Sequence, residues 1–446
     1  MVLGACNKWL DVHPKTQVKG DELFSNEQGF TDALAGIYAS FGGNDLYGRN
    51  LTYLAPDLLA QYYETSETRD AFSHHQLAAY NYENAAVKAY LKQIWSSLYN
   101  LIANTNNLLK HIDQYNGRFV SVDPQAVKGE ALALRAFMHF DLLRMYGPSY
   151  ASGPDKTAIP YVPTVSLQPS PLLPVREVLD KIIADLKVAE RLLASSDRGV
   201  AFFNYNAVRA LLARVYLYKN DKENAGAYAR DVINSRQYSF APVATLTTPS
   251  NKNRTLMTEQ IFALRDVTTL GENVKSYFIG TPSATISNAD TYLANTLGMV
   301  NSIYETNISG TDYRYNYFWI SLFDKMTPTR LWQEDALEKN TLSLLRIPEM
   351  YYIAAECATD RETGIAYLNE VRVNRGLTAL PEDLNEAALQ QEIYKEYRKE
   401  FVCEGQLWFY YKRLAMPQIN GTSVAGSDAI YVFPLPDDEV LFGNRK

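Results

Sequence analysis

The sequence predicts a mainly α-helical protein: tetratricopeptide-type helix pairs stacked as an αα-superhelix, with an irregular loop-rich insertion packed on it. Three observations predict this. Apolar residues recur at helical spacing through long stretches on both sides of the chain's middle. One short charged turn between two helices occurs twice, at a matching spacing. The helical periodicity lapses between 241 and 340.

Residues 6–28, with Pro14, read as an extended lead. Over 29–41, Phe30, Leu34, Ile37 and Tyr38 share one helical face. The stripe is strongest over 94–112, through Ile94, Leu98, Leu101, Ile102, Thr105, Leu108, Leu109 and Ile112. Pro124 suits a first-turn position and opens a helix bearing Ala131, Leu134, Met138 and Leu142, which stops at Gly147-Pro148. Residues 148–174, rich in Pro, Ser and Gly, read as a loop. Helix 175–194 follows with Val178, Ile182, Leu186, Ala189 and Leu193. Asn204 or Asn206 caps the next helix, which buries Ala207, Leu211, Leu212 and Val215; its partner buries Ala225, Ala229, Val232 and Ile233.

The repeat sits here. Asp221-Lys222-Glu223, Tyr228 and Asp231-Val232 are echoed by Asp360-Arg361-Glu362, Tyr367 and Glu370-Val371. A lone helix pair leaves one apolar face uncovered, so pairs must stack. The frame is therefore placed at 28–240 and 341–415, with 241–340 as the insertion. One long helix is predicted over 386–413, with Ala388, Ile393, Tyr397 and Phe401. The segment 430–436 reads as extended, because proline disfavours α for the residue before it.

The net charge of −7 argues against nucleic acid as a partner, since phosphate binding needs a basic surface. No run of about eighteen apolar residues is present to span a membrane. The 32 Tyr against 18 Phe and 5 Trp suit half-wet surfaces that grip ligands. Three cysteines make no disulfide framework, and Cys357 and Cys403 read as buried free thiols. Cys6 follows Leu3-Gly4-Ala5, the apolar-small-small-Cys form of a lipoprotein cleavage site, so it is the expected lipid attachment point.

Catalytic signatures are missing: no phosphate loop, dinucleotide fingerprint, His-Glu-x-x-His, Cys-x-x-Cys or Gly-x-Ser-x-Gly occurs. The adjacent His74 and His75 diverge on any regular element and do not suggest a metal site. No cofactor and no metal is expected. Two acidic groups, Glu64 with Glu67 and Asp70, and Asp437 with Asp438 and Glu439, keep open a glycosidase built on a helical toroid. A solvated face is the plainer reading of each.

Several segments resemble one family, the SusD/RagB outer-membrane nutrient-binding lipoproteins of Bacteroidetes. The opening Cys6-Asn-Lys-Trp-Leu-Asp-Val-His-Pro is similar to the family's lipidated start, and Leu23-Phe24 through Ala33-Leu34-Ala35-Gly36-Ile37-Tyr38 to its first helix. Trp95, Tyr99, Ile102 and Asn104 follow. The most specific piece is Gly129-Glu130-Ala131-Leu132-Ala133-Leu134-Arg135-Ala136-Phe137, running on to Tyr146-Gly147. Ile159-Pro160-Tyr161, Leu211 to Leu217, Ala354-Ala355-Glu356, Leu368 to Arg372, Arg375-Gly376, Glu400-Phe401, Glu404-Gly405 and Pro434-Leu435-Pro436 keep the family order. The chain departs from the family at Phe409-Tyr410-Tyr411-Lys412-Arg413 and at Arg346-Ile347-Pro348-Glu349-Met350. Glu130, Arg135, Arg214 and Arg372 are read as ion pairs between stacked helices, not as site residues.

The resemblance implies one domain over 1–446. It implies a lipid-anchored, surface-exposed outer-membrane protein that captures a glycan for a SusC-like TonB-dependent transporter, without catalysis. A peptide-binding member of the same scaffold is the alternative. The family's ligand contacts share no motif, so the site is sought here in loops dense in aromatics. Two regions qualify: 57–83, with Tyr63, His75 and Tyr80, and the insertion, with Tyr277, Tyr292, Tyr313 and Trp319.

Overall fold

The computed structural model describes residues 20–65, 74–247, 252–279, 293–322, 325–333 and 339–443. It is mainly helical. Helix α1 (Glu27–Phe41) is capped by Asn26, whose side chain accepts from Gly29 N. Helices α2 (Ala85–Gln114) and α3 (Pro124–Tyr146) form the first long pair. After them come α4 (Val175–Leu192), α5 (Tyr205–Tyr218) and α6 (Lys222–Asn234). Helices α7 (Ile347–Glu356), α8 (Arg361–Asn374), α9 (Glu386–Glu400) and α10 (Gln406–Arg413) complete the set.

From α2 to α9 each helix packs on the next in chain order. The stack runs straight from α6 to α7, although more than a hundred residues of chain separate them. The repeated turn has a physical basis. Asp221 caps α6 by accepting from Asn224 N, and Asp360 caps α8 by accepting from Thr363 N. Each satisfies a donor that a helix start leaves unpaired. Between the two candidate caps of α5, Asn204 does the work, accepting from Ala207 N.

Helix α3 is buried on almost every side, so its polar residues must all be matched. Glu130 accepts from Tyr38 Oη (2.9 Å) and pairs with Arg198 (2.7 Å). Arg135 grips both oxygens of Asp185 on α4 at 2.7 Å. His139 donates from Nδ1 to Arg135 O (2.9 Å) and accepts at Nε2 from Val162 N (3.0 Å). That pattern requires a neutral ring, and burial lowers its pKa to about 3. Arg214 on α5 likewise pairs with Glu349 on α7, and Arg372 on α8 with Glu396 on the next helix, α9.

The helix predicted over 386–413 is broken. The chain turns at Phe401–Gly405, with φ of 65° at Cys403 and 71° at Gly405. The cause lies far away in sequence: buried Asp57 accepts from Cys403 N (2.7 Å) and Gly405 N (3.0 Å), taking two amides out of the helical ladder. A Cβ on Gly405 would lie 2.6 Å from Thr52 O. The end also differs from expectation. Asp428–Tyr431 is a helical turn, so the extended run starts only at Val432, and Asp437–Phe442 is helical again. Cys357 and Cys403 are buried free thiols.

The insertion holds short helices and strands. Strand Gln260–Leu264 pairs antiparallel with Leu342–Arg346, so its two ends lie side by side. A hairpin, Trp319–Leu322 with Lys325–Pro328, lies between them. What binds this region to the frame is a buried ionic cluster. Arg346 and Arg375 each bridge Glu259 and Glu400, at 2.7–2.9 Å. Arg314 holds Asp312 (2.7 Å), Glu396 (2.8 Å) and Glu400 (3.0 Å). Burial opposes the charge on Glu400, but Arg375 and Arg346 prevail and hold its carboxyl well below the usual range.

Candidate ligand-binding site

The two aromatic-rich regions meet. Glu64 N donates to Ala294 O (2.9 Å), and Asn295 Nδ2 to Tyr62 O (3.0 Å). Lys325 of the hairpin pairs with Glu64. Leu293 N donates to Tyr277 O (2.6 Å), so the chain leaving the 57–65 contact leads directly to Tyr277.

Beside this seam is a polar corner made by two π-helical turns, Asn50–Leu54 and Lys275–Ile279. Such turns are rare and occur often at functional positions. The first follows a tight loop at Gly48, where a Cβ would lie 2.2 Å from Gly42 O. That loop presents Arg49. Its Nε donates to Asn50 Oδ1 (2.9 Å) and its Nη1 to Tyr277 Oη (3.3 Å). Asn44 Oδ1 ties the same loop to the insertion, accepting from Thr269 Oγ1 and Asn273 Nδ2, both at 2.8 Å. The His74 ring lies 6.1 Å from that of Tyr277.

Tyr53 and Tyr90 complete the corner. The Tyr90 hydroxyl is buried and has no hydrogen-bond partner among the described residues; the Tyr53 hydroxyl points at Asn273 without reaching bonding geometry. Burial raises both phenol pKa values well above normal, with Arg49 acting against it. Among the described residues no carboxylate lies within ion-pair distance of Arg49. Asp45 is near, but it is exposed and accepts from Gln93 Nε2 (3.2 Å).

The structure sorts the candidate residues. Tyr63 and Tyr80 turn inward and have packing roles, a correction to their reading as ligand platforms. Tyr63 donates to Asp57 Oδ2 (3.1 Å), and Tyr80 donates to Leu59 O (2.8 Å) while stacking on Trp408. Tyr313 packs on Gly376, and its amide donates to Arg375 O (2.8 Å), so it anchors the insertion to the frame. Trp319 is 6% exposed and gives its indole N–H to Tyr304 Oη (3.1 Å). Its remaining edge lines a groove of about 450 Å³ with Leu297, Tyr315, Asn316 and Lys325. His75 is half-buried, with Nδ1 3.1 Å from Thr65 Oγ1, one residue from the corner's His74. Tyr277 is in the corner itself but only 7% exposed, so its ring packs in the core as those of Tyr63 and Tyr80 do, and its hydroxyl is what meets Arg49. Tyr292 and Cys6 lie outside the described residues.

Sequence reading missed Arg49 and Tyr90. Arg49 resembles any loop arginine, and its partner Tyr277 lies 228 residues away. Of the acidic groups, Glu64 is committed to Lys325 and Asp438 to Lys92; Glu67 and Asp70 lie outside the described residues. Among the described residues no cluster of His, Cys, Asp and Glu could hold a metal ion, and no helix is long and apolar enough to cross a membrane.

A stacked helical frame presenting a polar, aromatic corner defines a binding scaffold. Residues 8–217 match the SusD-like family model described as starch-binding and associating with the outer membrane, and residues 222–439 match the SusD family model. The chain belongs to the SusD/RagB family. A SusD-like protein of Formosa agariphila is 25% identical over 54% of this chain, a region that is only 44% of that relative's length. A second from the same organism is 23% identical, covering 97% of this chain and 94% of the relative. A SusD superfamily structure from Bacteroides thetaiotaomicron is 22% identical with a TM-score of 0.77, covering 94% of this chain and 98% of that one. A SusD-like carbohydrate binding protein from Bacteroides vulgatus is 19% identical with a TM-score of 0.74, covering 94% and 96%. These likenesses share the helical fold described above.

Proposed function

We propose that this protein captures glycans at the cell surface and passes them uncleaved to a TonB-dependent transporter of the outer membrane. A lipid on Cys6 anchors it there. The observation that carries the reading is the match to a family described as starch-binding, beside a half-buried Arg49 held by Asn50 and Tyr277 and a groove where Trp319 and Tyr315 meet Asn316 and Lys325. Sugars offer apolar C–H faces to rings and hydroxyls to polar groups, so this mixture suits them. His75 belongs to the same ligand face, Trp319 with its groove extends it, and Tyr292 is kept as a candidate ligand contact on the strength of the sequence. The family's description as starch-binding and associated with the outer membrane supports this, as does the carbohydrate-binding neighbour.

Affinity electrophoresis through gels containing polysaccharides, followed by calorimetry with oligosaccharides, tests it. Retardation is expected in at least one gel, with no new reducing ends released. Arg49→Ala should abolish retardation at unchanged thermal stability. New reducing ends would mean hydrolysis instead, and retardation unaffected by Arg49→Ala would move the site elsewhere.

A further inference from the structure

Large apolar side chains left in water call for a reason when they cluster. Twelve stand exposed among the described residues, and seven of them lie singly along the chain. The other five fall in two short segments: Val165 and Leu167 in the loop after Pro160, and Val440, Leu441 and Phe442 in the helix Asp437–Phe442. Leu167 is fully exposed and Phe442 is 78% exposed.

Helix α2 holds the two segments side by side. Its Lys92 pairs with Asp438, and its Tyr99 donates to Pro160 O (2.8 Å). Between them runs a groove of about 600 Å³, lined by Leu167, Pro169 and Phe442 with Trp95, Tyr99 and Asn100 of α2. The rings of Trp95 and Tyr99 lie 4.7 Å apart at 55°. This volume suits a short extended segment and is too small for a helix, of which two turns with side chains fill roughly 1,000 Å³. The extended form that aromatic-lined grooves recognise is the polyproline helix, which arrives preformed with its carbonyls unpaired. The side-chain amides of Asn100 and Gln168, which also lines the groove, can donate to such carbonyls.

Charge at the rim selects further. Among the described residues, four carboxylates (Glu83, Asp437, Asp438 and Glu439) stand beside two lysines (Lys88 and Lys92) at this end of α2, so the rim is negative by two charges. An acidic rim draws basic residues and turns away the anionic surface of a bilayer.

We propose that this groove docks an extended, proline-containing apolar segment of a partner protein, with lysine or arginine at its ends. The proposal is independent of the glycan reading, because none of its residues belongs to that ligand face.

Calorimetry of the full chain tests this with three synthetic peptides of one length: prolines and leucines between terminal lysines, the same core between glutamates, and glycines and serines between lysines. Saturable binding is expected for the first alone. Leu167→Ser and Phe442→Ser should each weaken it by about tenfold, the scale of one apolar side chain withdrawn from water. Both residues are exposed, so Tm should not move. Asp437→Asn with Glu439→Gln should weaken it by about threefold and reduce its dependence on salt. Ile308→Ser, at an equally exposed apolar residue elsewhere, should change nothing. Equal binding of the glutamate peptide, binding that survives both serine substitutions, or no binding of the first peptide would overturn the proposal. So would either of two readouts that Phe442→Ser abolishes: a dimer in sedimentation, which gives the groove to a second copy, or flotation with phosphatidylcholine vesicles, which gives it to lipid.

Discussion

Two sets of arginines in this protein do opposite work. Arg314, Arg346 and Arg375 are fully buried and saturated with carboxylates from the insertion and the frame. Arg49 sits at the edge, held only by an asparagine and a tyrosine. The first set spends its charge on fixing the insertion to the stack. The second keeps a charge that no carboxylate among the described residues neutralises, and in the proposed function it is offered to a ligand. Burial of a charge requires a complete set of partners, whereas a half-buried guanidinium can do without a carboxylate.

The largest effect separating the two should come from Glu400→Ala. It leaves three buried guanidinium groups short of a partner, and about 3–5 kcal/mol of stability should be lost in urea denaturation. A loss under about 1 kcal/mol would show that the cluster is not what clamps the insertion.

Acid should come next, in two stages. His139 has a depressed pKa of about 3, so the unfolded chain binds its proton first. Stability should fall as pH drops from about 6.5 towards 3, by up to about 1.4 kcal/mol per unit. Glu400 is also depressed, so its contribution is present above the unfolded value of about 4.3 and disappears only below it. His139→Gln should flatten the first stage alone. A single transition beginning below about pH 4.5 in the native chain would contradict the neutral, buried imidazole.

Gly405→Ala places a Cβ against Thr52 O at a left-handed backbone and should cost about 1–3 kcal/mol, read as a lower Tm. The smallest change in stability belongs to Arg49→Met, within about 0.5 kcal/mol, although ligand binding is lost. If Arg49→Met instead destabilised the fold as Glu400→Ala does, the contrast between the two sets would collapse.

The sequence made the helices legible because their evidence is local. Periodicity located α2 and α3, and the matching aspartates at 221 and 360 are real caps. The break at 401–405 was hidden, because the carboxylate that imposes it is Asp57, 346 residues before Cys403. The site divides the same way. Aromatic-rich loops drew attention to Tyr277 and to the neighbourhood of His74, but composition cannot say which way a ring points. Tyr63 and Tyr80 lie in an equally promising loop and face the core. Arg49 became distinctive only once its surroundings could be compared with those of the other arginines. The one local hint was its place after Gly48, in a turn flanked by Tyr47 and Tyr53.

The strand pair Gln260–Leu264 with Leu342–Arg346 has a consequence for how such a scaffold can diverge. It closes most of the insertion into a loop whose ends are already fixed. Closure entropy grows only with the logarithm of length, about 0.6 kcal/mol for each doubling. Segments between these strands can therefore be lengthened, shortened or replaced at little thermodynamic cost, while the stack from α6 to α7 stays unbroken. Natural variation has room to reshape this face of the molecule without having to reinvent the frame.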